Sequence, residues 1–104
     1  MTRAEFAAQL EEACPNVFCQ YAPIGTNVPY IVYQWDYNNF GADNQSYQRV
    51  AVVTVTHYHA DYSAGDQLKQ ILDENDIFWN CSTAFDADED LYIDTYTMEV
   101  LEDG

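Results

Sequence analysis

The sequence predicts an α+β domain in which two helices pack on one face of a mainly antiparallel sheet, in the order α-β-β-β-α-β-β. Three observations carry this prediction. Apolar residues recur at helical spacing in two segments, one near the start of the chain and one after residue 62. Runs rich in β-branched and aromatic residues follow each helical segment. The connections include one clear hairpin and few crossovers, which suits helices laid against an antiparallel sheet. At 104 residues the chain makes one domain, 1–104, with no linker, internal repeat or low-complexity tract.

Each element has its own signal. Thr2-Arg3-Ala4-Glu5 is a capping box, with Thr2 placed to accept from the Glu5 amide. Phe6, Leu10 and Ala13 or Cys14 then share a helical face, and Pro15 ends the helix near Cys14. Val17 to Tyr21 reads as a short strand, and Pro23-Ile24-Gly25-Thr26-Asn27 as a turn-rich loop. Tyr30 to Asp36 alternates, with Ile31, Tyr33 and Trp35 on one face. The stretch Asn38 to Asn44 is rich in residues that tolerate positive φ and reads as a hairpin tip. Ser46 to His59 is a long β-branched strand; Val50 and Val52 point one way, Val53 and Val55 the other, so cover is expected on both sides. Ser63 is expected to cap a second helix, with Asp66 in its first turn and Ala64, Leu68, Ile71 and Leu72 as its apolar stripe, ending near Asn75-Asp76. Ile77 to Cys81 reads as a short strand, Asp86 to Asp90 as a charged turn, and Leu91 to Leu101 as the closing strand.

Charge narrows the function classes. Eighteen carboxylates face only Arg3, Arg49 and Lys69, for a net charge of −15 with neutral histidines. Such a chain lacks the cations that displace counterions from phosphates, so direct nucleic-acid binding is excluded, as is an anionic membrane surface. Nine Tyr, five Phe and two Trp argue against acidic disorder and suit partly exposed sheets and subunit contacts. No apolar signal region opens the chain and no run approaches ~18 apolar residues, so neither a secretory leader nor a membrane span is expected. Cys14, Cys19 and Cys81 are odd in number and fit no metal or disulfide spacing; buried reduced thiols are expected.

Chemical sites are sparse. His57 and His59 lie on one strand face and, with Asp61, would make a weak three-ligand cluster. The two-residue spacing is easily accidental, and surface or interface histidines are the expectation. Asp86, Asp88 and Asp90 resemble the start of a calcium-binding EF-hand loop, but Leu91 stands where that loop needs Gly and Thr97 where it needs Glu. No metal or other cofactor is expected. Ser46, Ser63 and Ser82 lack a nucleophile elbow, the glycines are isolated, and no carboxylate pair stands out, so no catalytic constellation is present and an enzyme is not expected.

Several segments together resemble a family of tail-terminator and tail-completion proteins from tailed phages and prophages of Gram-positive bacteria. They are Pro29 to Tyr33, Asn38 to Asn44, the Tyr47 to Thr56 strand, Leu72 to Trp79, and Leu91-Tyr92 leading into Tyr96 to Val100. The resemblance runs in order over roughly residues 4 to 101, and Asn38-Asn39-Phe40-Gly41-Ala42-Asp43 is its most specific part. It implies a tail-terminator-like fold that assembles as a ring, a hexamer, at the head–tail junction of the virion. Its partners would be the major tail-tube protein and a neck or connector protein. On that reading Trp35, Tyr37, Asn39, Phe40, Asp43, Arg49 and Trp79 are the expected interface residues. The alternative is an acidic DNA mimic that inhibits a basic nuclease or DNA-binding protein. Clustering of Asp86, Asp88, Glu89, Asp90, Asp94, Glu99, Glu102 and Asp103 on one surface would favour it.

Overall fold

A computed structural model describes residues 1–37 and 48–103. Helix α1 (Arg3–Ala13) is followed by β1 (Val17–Cys19), β2 (Tyr30–Tyr37) and β3 (Gln48–His59). A single 3-10 turn (Tyr62–Gly65) leads into α2 (Asp66–Glu74), then β4 (Trp79–Asp86) and β5 (Leu91–Asp103). The class and element order are those the sequence predicts. The Asn38–Asn44 hairpin tip lies outside the described residues.

Helix α1 starts as its sequence dictates. Thr2 Oγ1 accepts from the Glu5 amide at 3.1 Å, and Glu5 Oε1 accepts in return from the Thr2 amide at 3.1 Å. Two of the helix's orphan amides are thereby satisfied. The second helix starts differently. Ser63 does not cap it: Asp61 caps the 3-10 turn, its carboxylate accepting from the Ser63 amide at 3.1 Å, and α2 begins after Gly65 without a side-chain cap. An Asx-type bond two residues ahead wins because it satisfies a backbone donor before the first α-helical turn forms.

The five strands run in the order β1-β2-β3-β5-β4. Strand β1 is parallel to β2, and every other neighbour is antiparallel. Strand β4 is longer than the sequence suggests and reaches Asp86, because it pairs along β5 from Trp79↔Met98 to Asp86↔Leu91. Its Thr83, Ala84 and Phe85 carry no apolar alternation, being exposed at the sheet edge, so only pairing reveals the strand.

Both helices cover one face. Phe6 and Leu10 of α1, Cys14 just after it, and Leu68 and Leu72 of α2 are buried on Ile31, Tyr33, Val53, Val55, Tyr96 and Met98. Phe6 meets Tyr33 and Trp35 with ring centroids 6.4 and 5.5 Å apart. Each such apolar side chain contributes roughly 1.5–3 kcal/mol by leaving water.

The opposite face is a correction to the expected two-sided cover of β3. Among the described residues, no side chain on the Val50, Val52, Thr54, Thr56, Tyr58 face is buried, and Val52 is 38% exposed. Both helical stripes are used up on the Val53–Val55 side, so nothing described remains to cover the other. The cysteines also divide: Cys14 is buried, Cys81 half-buried and Cys19 exposed, all as free thiols. Cys19 ends an edge strand, where burial has no second layer to act through.

Adjacent valines test the one-sided cover. Val53→Ala is expected to cost about 2 kcal/mol in urea unfolding of dilute protein, from lost burial plus the cavity left behind. Val52→Ala should cost less than about 1 kcal/mol under the same conditions, since its side chain already meets solvent.

Candidate functional site

The core-facing side of β3 changes character along its length. Ala51, Val53 and Val55 are apolar; the next two residues in phase are His57 and His59. On β5 the same layer reads Val100, Met98, Tyr96 and then Asp94. The register places His57 opposite Asp94 and His59 opposite Tyr92, while β4 brings Thr83 opposite Asp94 from the other side. The apolar layer therefore ends in a polar cluster beneath the 3-10 turn and the start of α2.

Both histidines are buried, at 1% and 2% exposure, and Asp94 at 3%. The expectation of surface or interface histidines is thus corrected. The strap from Asp61 to Gly65 folds back over this end of β3 and seals it. Asp61, the expected third ligand, is not part of the cluster: its backbone carbonyl meets His59 Nδ1 at 2.7 Å, while its side chain serves Ser63. Asp94 takes the place beside the histidines instead.

The bonding is specific. Asp94 Oδ2 lies 2.7 Å from His59 Nε2, and Asp94 Oδ1 accepts from the Thr83 hydroxyl at 2.7 Å. Burial pushes the Asp94 carboxyl up, but the bonds from Thr83 and His59 outweigh it. With the charges of His59 and Lys69 they hold it below the usual carboxylate range. Asp94 is thus an anion in the core. Both nitrogens of His59 then face acceptors, which either a doubly protonated imidazolium or a cation in place of the Nε2 proton satisfies. Tyr92 stacks on the His59 ring at 5.7 Å, and Phe85 and Tyr62 meet Tyr92 edge-on.

Among the described residues, two buried polar atoms in this cluster have no hydrogen-bond partner, His57 Nδ1 and the Tyr96 hydroxyl. Burial pushes the Tyr96 hydroxyl well above the usual phenol range and so disfavours its ionisation, as does the nearby Cys81 thiol, which lies close without hydrogen-bond geometry. Burial, then the neighbouring His59, push His57 down to about 4, with Asp94 acting weakly the other way. Gly65 closes the cluster from above. A Cβ there would sit 2.8 Å from Asp94 Oδ2 and 3.3 Å from the Tyr96 hydroxyl, so no larger residue fits while Thr83 and His59 hold that carboxylate.

The expected interface residues fall into three groups. Trp35 packs on Phe6, and Trp79 packs edge-on to Tyr96 at 5.6 Å while its Nε1 donates to Asp73 at 2.9 Å. Those two indoles tie the helices to the sheet. Tyr37 is 44% exposed at the end of β2, and Arg49 sits in β3 opposite Glu102. Asn39, Phe40 and Asp43 lie outside the described residues. On the uncovered sheet face, residues not singled out from the sequence come together instead. Tyr30 stacks on Tyr58 at 4.6 Å with Phe18 beside it, and at the far end from the histidines Val52, Phe78 and Leu101 line a groove of about 840 Å³. The Asp86–Asp90 turn is a hairpin tip in which Asp86 accepts from the amides of Asp88 and Glu89, at 3.0 and 3.3 Å. Its carboxylate is satisfied locally.

The depressed His57 gives a signed pH dependence. A histidine whose folded value lies near 4 binds fewer protons than its unfolded counterpart near 6.5, so its contribution is present above that range and lost as pH falls through it. Metal-free protein is expected to lose roughly 3 kcal/mol of stability between about pH 6.5 and 4 from this group. Chemical unfolding across that range should show the slope, and His57→Phe should flatten it.

Compared with known proteins, the chain matches no protein-family model and no curated protein.

Proposed function

We propose that the chain is a structural subunit that associates with copies of itself into a ring at the neck or tail of a tailed phage. The observation that carries this reading is the uncovered sheet face. Among the described residues, the five-stranded sheet leaves a row of valine, threonine and tyrosine side chains without a second layer. Large side chains stand out around it, with Leu101 55% and Phe78 95% exposed. Exposed apolar side chains gathered on one face mark association sites in soluble proteins, and here they lie among polar neighbours, Val52 between Asp36 and Glu99 in the register. The edge strands β1 and β4 add unpaired backbone groups on both sides of the sheet. A sequence resemblance to tail-terminator and tail-completion proteins points the same way.

Charge decides what kind of association this can be. At −15 per subunit, copies repel one another, so burial of apolar surface must supply the attraction. Acidic groups kept off the contact would line the ring, and an anionic lumen lets DNA pass without being held. The carboxylate pattern gives the DNA-mimic reading less support. Asp86 to Asp90 sit before the start of β5 and Glu102 and Asp103 at its other end, separated by roughly 35–40 Å of strand. Asp94 is buried between them.

Salt separates the two readings. Raising ionic strength shortens the screening length from about 10 Å at 0.1 M to about 3 Å at 1 M. Self-association through an apolar face should hold or strengthen across that range, giving a species several times 11.9 kDa in sedimentation or native mass measurements and rings by electron microscopy. Val52→Asp should dissociate it while leaving the monomer folded. A strict monomer that also fails to bind tail-tube subunits overturns the proposal, and a salt-sensitive complex with a basic DNA-binding enzyme would install the mimic in its place.

A further inference from the structure

We infer that His57, His59 and Asp94 form a binding site for one divalent transition-metal ion of the zinc class. One ring nitrogen from each histidine and one oxygen of Asp94 lie within 4.8 Å of one another. Ligands at ~2.0–2.2 Å around a tetrahedral ion stand roughly 3.4 Å apart, so the wider separations need close by at most about 1.4 Å while the His59–Asp94 pair, now 2.7 Å apart, opens by about 0.7 Å. This site is independent of the assembly proposed above, because it lies on the helix-covered face.

Several features favour a metal over a chance meeting of side chains. The donors sit inside the protein, each at least 95% buried as a residue, where surface carboxylates that merely attract cations do not. His57 offers a buried Nδ1 with no partner among the described residues, and the buried Tyr96 hydroxyl has none there either. Native interiors leave few such atoms, and each calls for an explanation, an ion being one. The surroundings already hold two of the ligands in the manner of an outer shell. The Asp61 carbonyl accepts from His59 Nδ1, which turns Nε2 toward the site, and Thr83 engages Asp94 Oδ1, which leaves Oδ2 facing His59. Gly65 approaches so closely that a Cβ would press on Asp94 Oδ2.

The donor chemistry selects the ion class. Two imidazoles and one carboxylate suit zinc and its first-row neighbours, whereas calcium and magnesium need shells of oxygen. A doubly charged ion also meets the one carboxylate present without leaving that anion alone in the core. Bound there, it joins β3 to β5 beneath the 3-10 turn, as a clamp on the end of the sheet that the helices cover least.

Zinc chloride titrated into chelator-stripped protein tests this, with magnesium chloride as control. Calorimetry and native mass spectrometry should show one zinc per chain, a raised melting temperature, and no comparable effect of magnesium. His57→Phe keeps a planar aromatic ring, slightly larger and without either nitrogen, breaks no hydrogen bond at Nδ1, and should weaken zinc at least about 100-fold; Thr83→Val should weaken it about 10-fold. Because the chain has only two histidines, nitrogen-15 NMR of the wild-type rings reads the site without any variant, and both should shift at one equivalent. Unmoved ring signals, or His57→Phe binding zinc as tightly as wild type, would overturn the proposal and leave the surface carboxylates as the binders.

Discussion

The register between β3 and β5 is the constraint on which the other features depend. It runs from Gln48↔Asp103 to His59↔Tyr92 and forms the middle of the sheet, with β2 and β4 added on either side. Because side chains alternate, this register sends Val53 and Val55 into the same layer as Tyr96 and Met98. A slip of one residue would turn that layer out to solvent and bring Val52 and Thr54 under the helices. The same register sets His57 opposite Asp94. Core packing and the polar cluster are thus two consequences of one alignment, and the apolar part enforces the polar part.

The polar end of the layer is costly by itself. A buried carboxylate loses hydration that only close partners can replace, and a well-packed apolar group of the same volume often serves stability as well or better. Asp94 has such partners in His59 and Thr83, yet His57 and Tyr96 keep unpaired buried atoms. A core shaped for stability alone would place a Phe or Leu at these positions. The arrangement makes more sense if something besides the protein completes it.

One-sided cover has its own consequence. A chain of this size buries a modest share of its unfolded surface, and repulsion among its carboxylates works against compaction. Among the described residues one sheet face has no second layer, which adds nothing to the burial that stabilises the isolated chain. On the proposed assembly, association across that face would recover the missing burial and link the chain's stability to its assembly through mass action. The two Trp side chains reinforce the covered side, Trp35 on Phe6 and Trp79 on Tyr96, which concentrates the rigid packing away from the open face.

Local signals determined a good deal. Thr2 with Glu5, Pro15, the Ile31-Tyr33-Trp35 alternation and the Leu68-Ile71-Leu72 stripe each act within a few residues, and all appear where the sequence puts them. Composition by itself set the net charge and with it the expectation against phosphate-binding functions. The rest needed the tertiary structure, because it rests on contacts between distant segments. Whether both faces of β3 are covered depends on how many apolar helix faces exist and where they dock, which no window on β3 contains. Asp94 carried a faint signal as one of two acids, with Glu102, in phase with Tyr96, Met98 and Val100. Nothing local said that its partners would be His57 and His59, some 35 residues earlier, rather than Asp61 two residues beyond. Sequence spacing measures distance along the chain; the site is made by distance across the sheet, and strand pairing alone converts one into the other.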